Sequence, residues 1–339
     1  MKKIFPPFLC LIFIVTACAK AVPTALPLSP SVTLELSTST PLPQPSETII
    51  LTPTLSVVSP ISTFDIGSSA TGKDGMMLLY VPAGKFTMGN DNNGDDVKPA
   101  HLVYLDAFWI DQTEVTNEQY AMCISNGGCT HLSSTKSPTR SNYYGNPEFY
   151  NYPVIYVDWK QANAYCAWVG RQLPTEAQWE KAARGADGRV YPWGNTAPND
   201  SLLNYNSAVR DTTEVGKYPD GKSPYGVYDM AGNVWEWVSD WYGGNYYQSS
   251  PSSNPLGPND PSGSVEQAGY AQVLRGGSWY YEEGSLRSIF RYGVVPVDFL
   301  VRSDTRSWAI PKYEDTSVYG RPPLGFGTVG FRCALNATP

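Results

Sequence analysis

The chain has 339 residues, only 16% of them charged, with a formal net charge of -7, and 23 tyrosines and 10 tryptophans. That balance argues against a phosphate-binding surface, because nucleic-acid affinity is built from clustered Lys and Arg and no such cluster is visible. With two histidines, His101 and His131, no site of three imidazoles can form within one chain, and 30 glycines with 29 prolines point to short elements joined by many turns.

The first elements predict export. Lys2 and Lys3 form a positive start, and Phe8 to Val15 an apolar stretch too short to span a bilayer comfortably. Val15-Thr16-Ala17-Cys18 is similar to a bacterial lipobox. Residues 1–18 therefore read as a lipoprotein signal, with Cys18 lipidated and the mature protein held on the extracytoplasmic side of the membrane. The other reading is an ordinary cleaved signal that contains a cysteine. Residues 19–74 read as a tether, since the stretch from Ala21 to Gly72 is rich in Pro, Ser and Thr and has no Lys or Arg.

A folded domain is expected over residues 75–335. Leu78–Val81 and Gly84–Gly89 read as two short strands around a Pro82-Ala83-Gly84 turn. Three helices follow, each opened by a capping signature: Thr116 with Gln119, Asp158 with Gln161, and Thr175 with Gln178. Gly170 and Gly185 are the expected stops of the second and third. No comparable helix signal follows Gly185, so the class is α+β with much irregular structure.

Eight runs occur in one order: Val81-Pro82-Ala83-Gly84 with Met88-Gly89; Glu114-Val115-Thr116-Asn117; Pro153-Val154 with Val157-Asp158-Trp159; Arg171 to Glu180; Tyr191-Pro192-Trp193-Gly194-Asn195; Tyr228 to Trp237; Arg275-Gly276-Gly277-Ser278-Trp279; and Gly330-Phe331-Arg332. Together they resemble the sulfatase-modifying-factor family, to which formylglycine-generating enzymes belong. The resemblance implies a single compact domain related to C-type lectins. It also implies an oxidase that converts a sulfatase cysteine to formylglycine, using oxygen and a copper ion held by two cysteines. Copper(I) is soft and prefers thiolates.

Here the positions matching that pair are Tyr281 and Leu286. A phenol is a poor copper(I) ligand at neutral pH and Leu offers no donor, so copper is not expected. Ser278 and Trp235 are the remaining pocket candidates, with Ser278 alternatively a turn hydroxyl. Iron-dependent sulfoxide synthases, another branch, need three histidines, which this chain lacks.

The resemblance implies a structural disulfide between Cys166 and Cys333. Cys123 and Cys129 flank a flexible connector and read as a local disulfide, or else as a relocated copper site. It also implies calcium at Asp229, Glu236 and the carbonyls of Gly232 and Val234, with a weaker site at Asn204, the Tyr205 carbonyl and Asp211. Calcium favours such oxygen cages; the alternative is that Asp229 caps the turn and Glu236 pairs with an arginine. Arg287, Arg291, Arg302 and Arg306 could meet carboxylates in a cleft wall or pair at the surface. The expected function is a calcium-stabilised, membrane-anchored module that binds a peptide, protein or glycan. A divergent oxidase of exported proteins is the competing expectation.

Overall fold

The computed structural model describes residues 64–259, 271–294 and 325–337. The lipobox at Cys18, the tether up to residue 63, Arg302 and Arg306 lie outside them. The fold is α+β.

The chain opens with β1 (Ser69–Thr71), β2 (Met77–Val81), β3 (Gly84–Met88), β4 (His101–Leu105) and β5 (Phe108–Asp111). The Pro82–Gly84 turn does not close a hairpin. β2 joins an antiparallel sheet ordered β1-β2-β5 with the last strand, β10 (Ala334–Asn336), while β3 pairs with β4 in a separate ribbon. β10 lies beside β5 with Ala334 opposite Ile110, so both ends of the domain meet on one strand. The folded region therefore begins before residue 75. β1 pairs with β2 through Ala70 and Leu78, and Asp74 is buried against Arg171. Ser69-Ala70-Thr71 is too short and too polar to announce itself as a strand.

Three helices follow: α1 (Asn117–Ser125), α2 (Trp159–Trp168) and α3 (Glu176–Arg184). Each carries the expected reciprocal capping box, which satisfies two otherwise unpaired N–H groups at each start. A second sheet, ordered β8-β7-β6-β9, holds β6 (Trp235–Trp241), β7 (Gln272–Arg275), β8 (Tyr292–Val294) and β9 (Val329–Phe331), with β6 and β9 parallel. Among the described residues no further α-helix follows Gly185.

Two apolar clusters form most of the core. One packs Val81, Phe86, Val103, Phe108 and Ile110 around Trp179 of α3. The other packs Tyr120, Tyr165, Trp235, Trp237 and Phe331, and takes in Cys123, Cys166 and Cys333. All nine residues of α3 are buried, including Glu176, Glu180, Lys181 and Arg184. Charge at such depth needs partners. Glu176 accepts from Arg291 at 2.7 and 2.9 Å, and Glu180 pairs with Arg275 at 2.6 Å and Arg184 at 3.0 Å. Arg291 is thus a core residue, its guanidinium also lying over Tyr242 and Tyr247, rather than part of a cleft wall or the surface.

Candidate functional site

The Arg275–Trp279 turn after β7 places the two positions where the resemblance expects copper ligands, and both are filled by packing. Leu286 is fully buried with Tyr191, Leu203 and Ala231. Gly277 makes room for it: φ is +72° there, and an added Cβ would lie 2.8 Å from Leu286 Cδ2. Tyr281 packs elsewhere, edge-on to Trp235 with ring centroids 5.2 Å apart. Trp235 stacks in turn on Tyr292 at 5.6 Å and is fully buried. Ser278 is also fully buried; its carbonyl accepts from Tyr281 N. These aromatics are packing around the second sheet rather than an open wall.

The cysteines are closed off as well. Cys123–Cys129 and Cys166–Cys333 both form disulfides, with Cα separations of 5.3 and 5.6 Å. Among the described residues no free thiol remains. The histidines do not supply a metal site either: His101 sits on β4 with Nδ1 2.9 Å from the Pro99 carbonyl, and the His131 carbonyl caps the side chain of Gln161. The donors present do not fit copper or a three-histidine iron site.

The calcium candidates cluster, in an arrangement the sequence did not foresee. Asp229, Gly232 and Asn233 all take positive φ, and a Cβ at Gly232 would lie 2.4 Å from the Asn204 carbonyl oxygen. This tight turn brings Asp229 beside Glu114 and Glu236. Glu236 is held by Arg332 through two contacts of 2.7 Å and by the Trp179 indole at 2.8 Å. Asp229 accepts from Gly216 N at 2.6 Å. Glu114 is fully buried, and its Oε1 has no hydrogen-bond partner. Burial, then the charges of Asp229 and Glu236, push the Glu114 carboxyl well up from its ordinary value. Burial also raises Asp229 to about 6.

Three carboxyls thus face one guanidinium, and the open oxygen is on Glu114 rather than Glu236. Among the described residues no group of three or more His, Cys, Asp or Glu side chains is arranged to hold a metal ion. A calcium ion here would depend on main-chain carbonyls, amide oxygens and water besides the carboxylates. At the weaker site, Asp211 is saturated by Ser137, Thr139, Arg140 and Thr212. The neighbouring Asn204 Oδ1 is buried without a partner, and Tyr205 is partly buried with its hydroxyl donating to Pro198 O.

A cleft of about 480 Å³ opens between β2, α1 and the loop before Asp229. Met76 and Met77 line it from β2 and its approach, Glu118 and Met122 from α1, and Gln112, Asn151 and Tyr228 from loops. None of its lining residues is Tyr281, Leu286 or Ser278. Sequence reasoning missed it because these residues come from distant segments and each alone looks like ordinary surface.

The family described as the sulfatase-modifying factor enzyme 1-like domain matches residues 65–303. The formylglycine-generating enzyme of Streptomyces coelicolor is 30% identical over 333 residues, covering 82% of this chain and 95% of that enzyme. The serine/threonine-protein kinase pkn1 of Chlamydia caviae is 35% identical over 226 residues, 63% of this chain and 35% of the kinase, so the chain spans about a third of that relative's length. The hercynine oxygenase of Mycolicibacterium smegmatis is 33% identical, covering 68% of this chain and 61% of that enzyme. Among solved structures, PvdO from Pseudomonas aeruginosa superposes with a TM-score of 0.60 at 24% identity, covering 81% of this chain and 100% of that one. The Treponema denticola variable protein 1 gives 0.54 at 22% identity, covering 82% and 100%. These two likenesses establish the fold.

Proposed function

The chain belongs to the sulfatase-modifying factor enzyme 1-like family, and on that premise we propose that it is an exported, membrane-anchored binding module that keeps the family scaffold without its copper chemistry. One observation carries this reading. The expected copper positions, Tyr281 and Leu286, are packed into apolar clusters, and every described cysteine is in a disulfide. Anchoring through Cys18 rests on the Lys2-Lys3 start, the apolar stretch and the Val15–Cys18 run. Several acyl chains on one residue hold firmly, each buried CH₂ contributing about 0.8 kcal/mol. The ligand is a peptide, protein or glycan.

Calcium is part of the proposal. Asp229, the carbonyls of Gly232 and Val234 and the open carboxyl of Glu114 would hold it, with Glu236 tied to Arg332. The ion would supply the positive charge that this carboxyl excess lacks. The kinase activity in the name of the Chlamydia relative is not carried over, since the chain spans 35% of that protein.

The test combines metal analysis of the purified full chain with an oxidation assay on a sulfatase-type cysteine peptide. Calcium without copper, and no turnover, is expected. Stoichiometric copper together with turnover would overturn the binding reading in favour of a divergent oxidase acting on exported proteins.

A further inference from the structure

We propose that the cleft between β2 and α1 is a docking site for an extended peptide segment carrying a lysine or arginine. The inference rests on the binding reading above and supplies its place and ligand class. At about 480 Å³ the cleft lies within the usual range of ligand sites, and four of its polar side chains are available. The side chains of Gln112, Glu118, Asn151 and Tyr228 have no hydrogen-bond partner among the described residues. The smaller cleft, about 200 Å³, differs in this respect. There three of the four side-chain amides are committed, Gln178 to Asn336 at 3.0 Å and Asn254 to Asp106 at 2.8 Å.

Charge selects the ligand's sign. The lining holds two carboxylates, Asp74 and Glu118, and neither Lys nor Arg. Asp74 is held by Arg171 and the Tyr165 hydroxyl, which leaves Glu118 as the open anion. The neighbouring Lys73 is turned away, its ammonium donating to the Trp168 carbonyl and lying over the Trp168 ring.

The apolar part of the lining suits a long aliphatic side chain. Three of the six methionines, Met76, Met77 and Met122, line this one cleft, and Met77 and Met122 are 44% and 39% exposed. Thioether walls are adaptable and suit the aliphatic stem of Lys or Arg. Gln112 and Asn151 present both donor and acceptor, as peptide groups require. Tyr228 lines the cleft beside them.

Binding would be measured by fluorescence anisotropy on the full chain, with two labelled peptide pools. One is Gly-X-Lys-X-Gly amide and the other replaces Lys with Glu, X being randomised. The Lys pool should bind more tightly than the Glu pool, and the preference should weaken at high salt. Glu118→Gln should weaken Lys-pool binding by about two- to fivefold, the range of an exposed ion pair, without moving the thermal midpoint by more than a degree or so. Met122→Asn should weaken both pools. Equal binding of the two pools, no binding, or binding indifferent to Glu118→Gln overturns the proposal. A glycan bound equally by protein and variant would also overturn it while leaving the binding reading intact. Copper-dependent turnover would instead remove that reading itself.

Discussion

Replacing Arg332 with Met tests how the centre of this domain is held together. Arg332 is fully buried and makes two 2.7 Å contacts to Glu236. It also donates to the carbonyls of Asp111 at 3.1 Å and Tyr228 at 2.9 Å. Met fills much of the same volume but donates nothing. Glu236 would keep only the Trp179 indole, in the company of Glu114 and Asp229. Removing one partner of a buried pair costs about 3–5 kcal/mol, because the remaining charge is stranded. Domains of this size have about 5–15 kcal/mol in all, and about 2–4 °C is lost per kcal/mol. The melting temperature should therefore fall by about 6–20 °C.

The assay is urea and thermal unfolding followed by tryptophan fluorescence, with Glu236→Gln and the double variant beside the single one. Gln at 236 removes the stranded charge yet can still accept from Trp179. The double variant should then be less destabilised than the sum of the singles by at least about 1 kcal/mol. A loss below about 1 kcal/mol for Arg332→Met, or strict additivity, would refute the claim that this pair organises the core.

Three further outcomes follow from the same physics. Removing Cys166–Cys333 by double Ala substitution should cost about 5 kcal/mol and removing Cys123–Cys129 only about 2, because the sequence separations are 167 and 6; equal losses in urea unfolding would contradict this. Asp240 is pushed up to about 7 by burial and then by Glu176. A raised carboxyl binds its proton more tightly in the fold, so its stabilisation is full at low pH and is lost as pH rises through about 7. Asp240→Asn should therefore gain stability relative to wild type as pH rises across that window, and a pH-independent difference in urea midpoints would sink the assignment. Chelation should lower the melting temperature of the full chain, and Glu114→Gln or Asp229→Asn should reduce that shift; no shift in wild type excludes calcium.

What the sequence made legible was mostly local. Thr116, Asp158 and Thr175 announce their helices because a capping box is complete within four residues. Cys123 and Cys129 likewise meet across one short connector. The buried charges of α3 and β6 were not legible. Glu176 finds Arg291 at a separation of 115 residues and Glu236 finds Arg332 at 96. No local periodicity carries such a pairing, although an arginine partner for Glu236 was one of two alternatives the residues allowed. Glu114 was hidden for the same reason. It stands in a run that looks like a helix approach, and only the tertiary fold places its carboxyl beside Asp229.

The two positions where the resemblance expects copper ligands pack into different clusters. Leu286 belongs with Tyr191, Leu203 and Ala231, and Tyr281 belongs with Trp235 and the second sheet. Each side chain is therefore supported by its own surroundings, and Gly277 leaves room for the leucine. A methyl-sized cavity in such a cluster costs about 1 kcal/mol and Leu to a small residue about 2–5. Placing cysteines at both positions would then loosen two clusters before it offered a metal two thiolates. The two disulfides and the buried arginine pairs make no use of those positions, so the fold is held together without a metal ligand at either one.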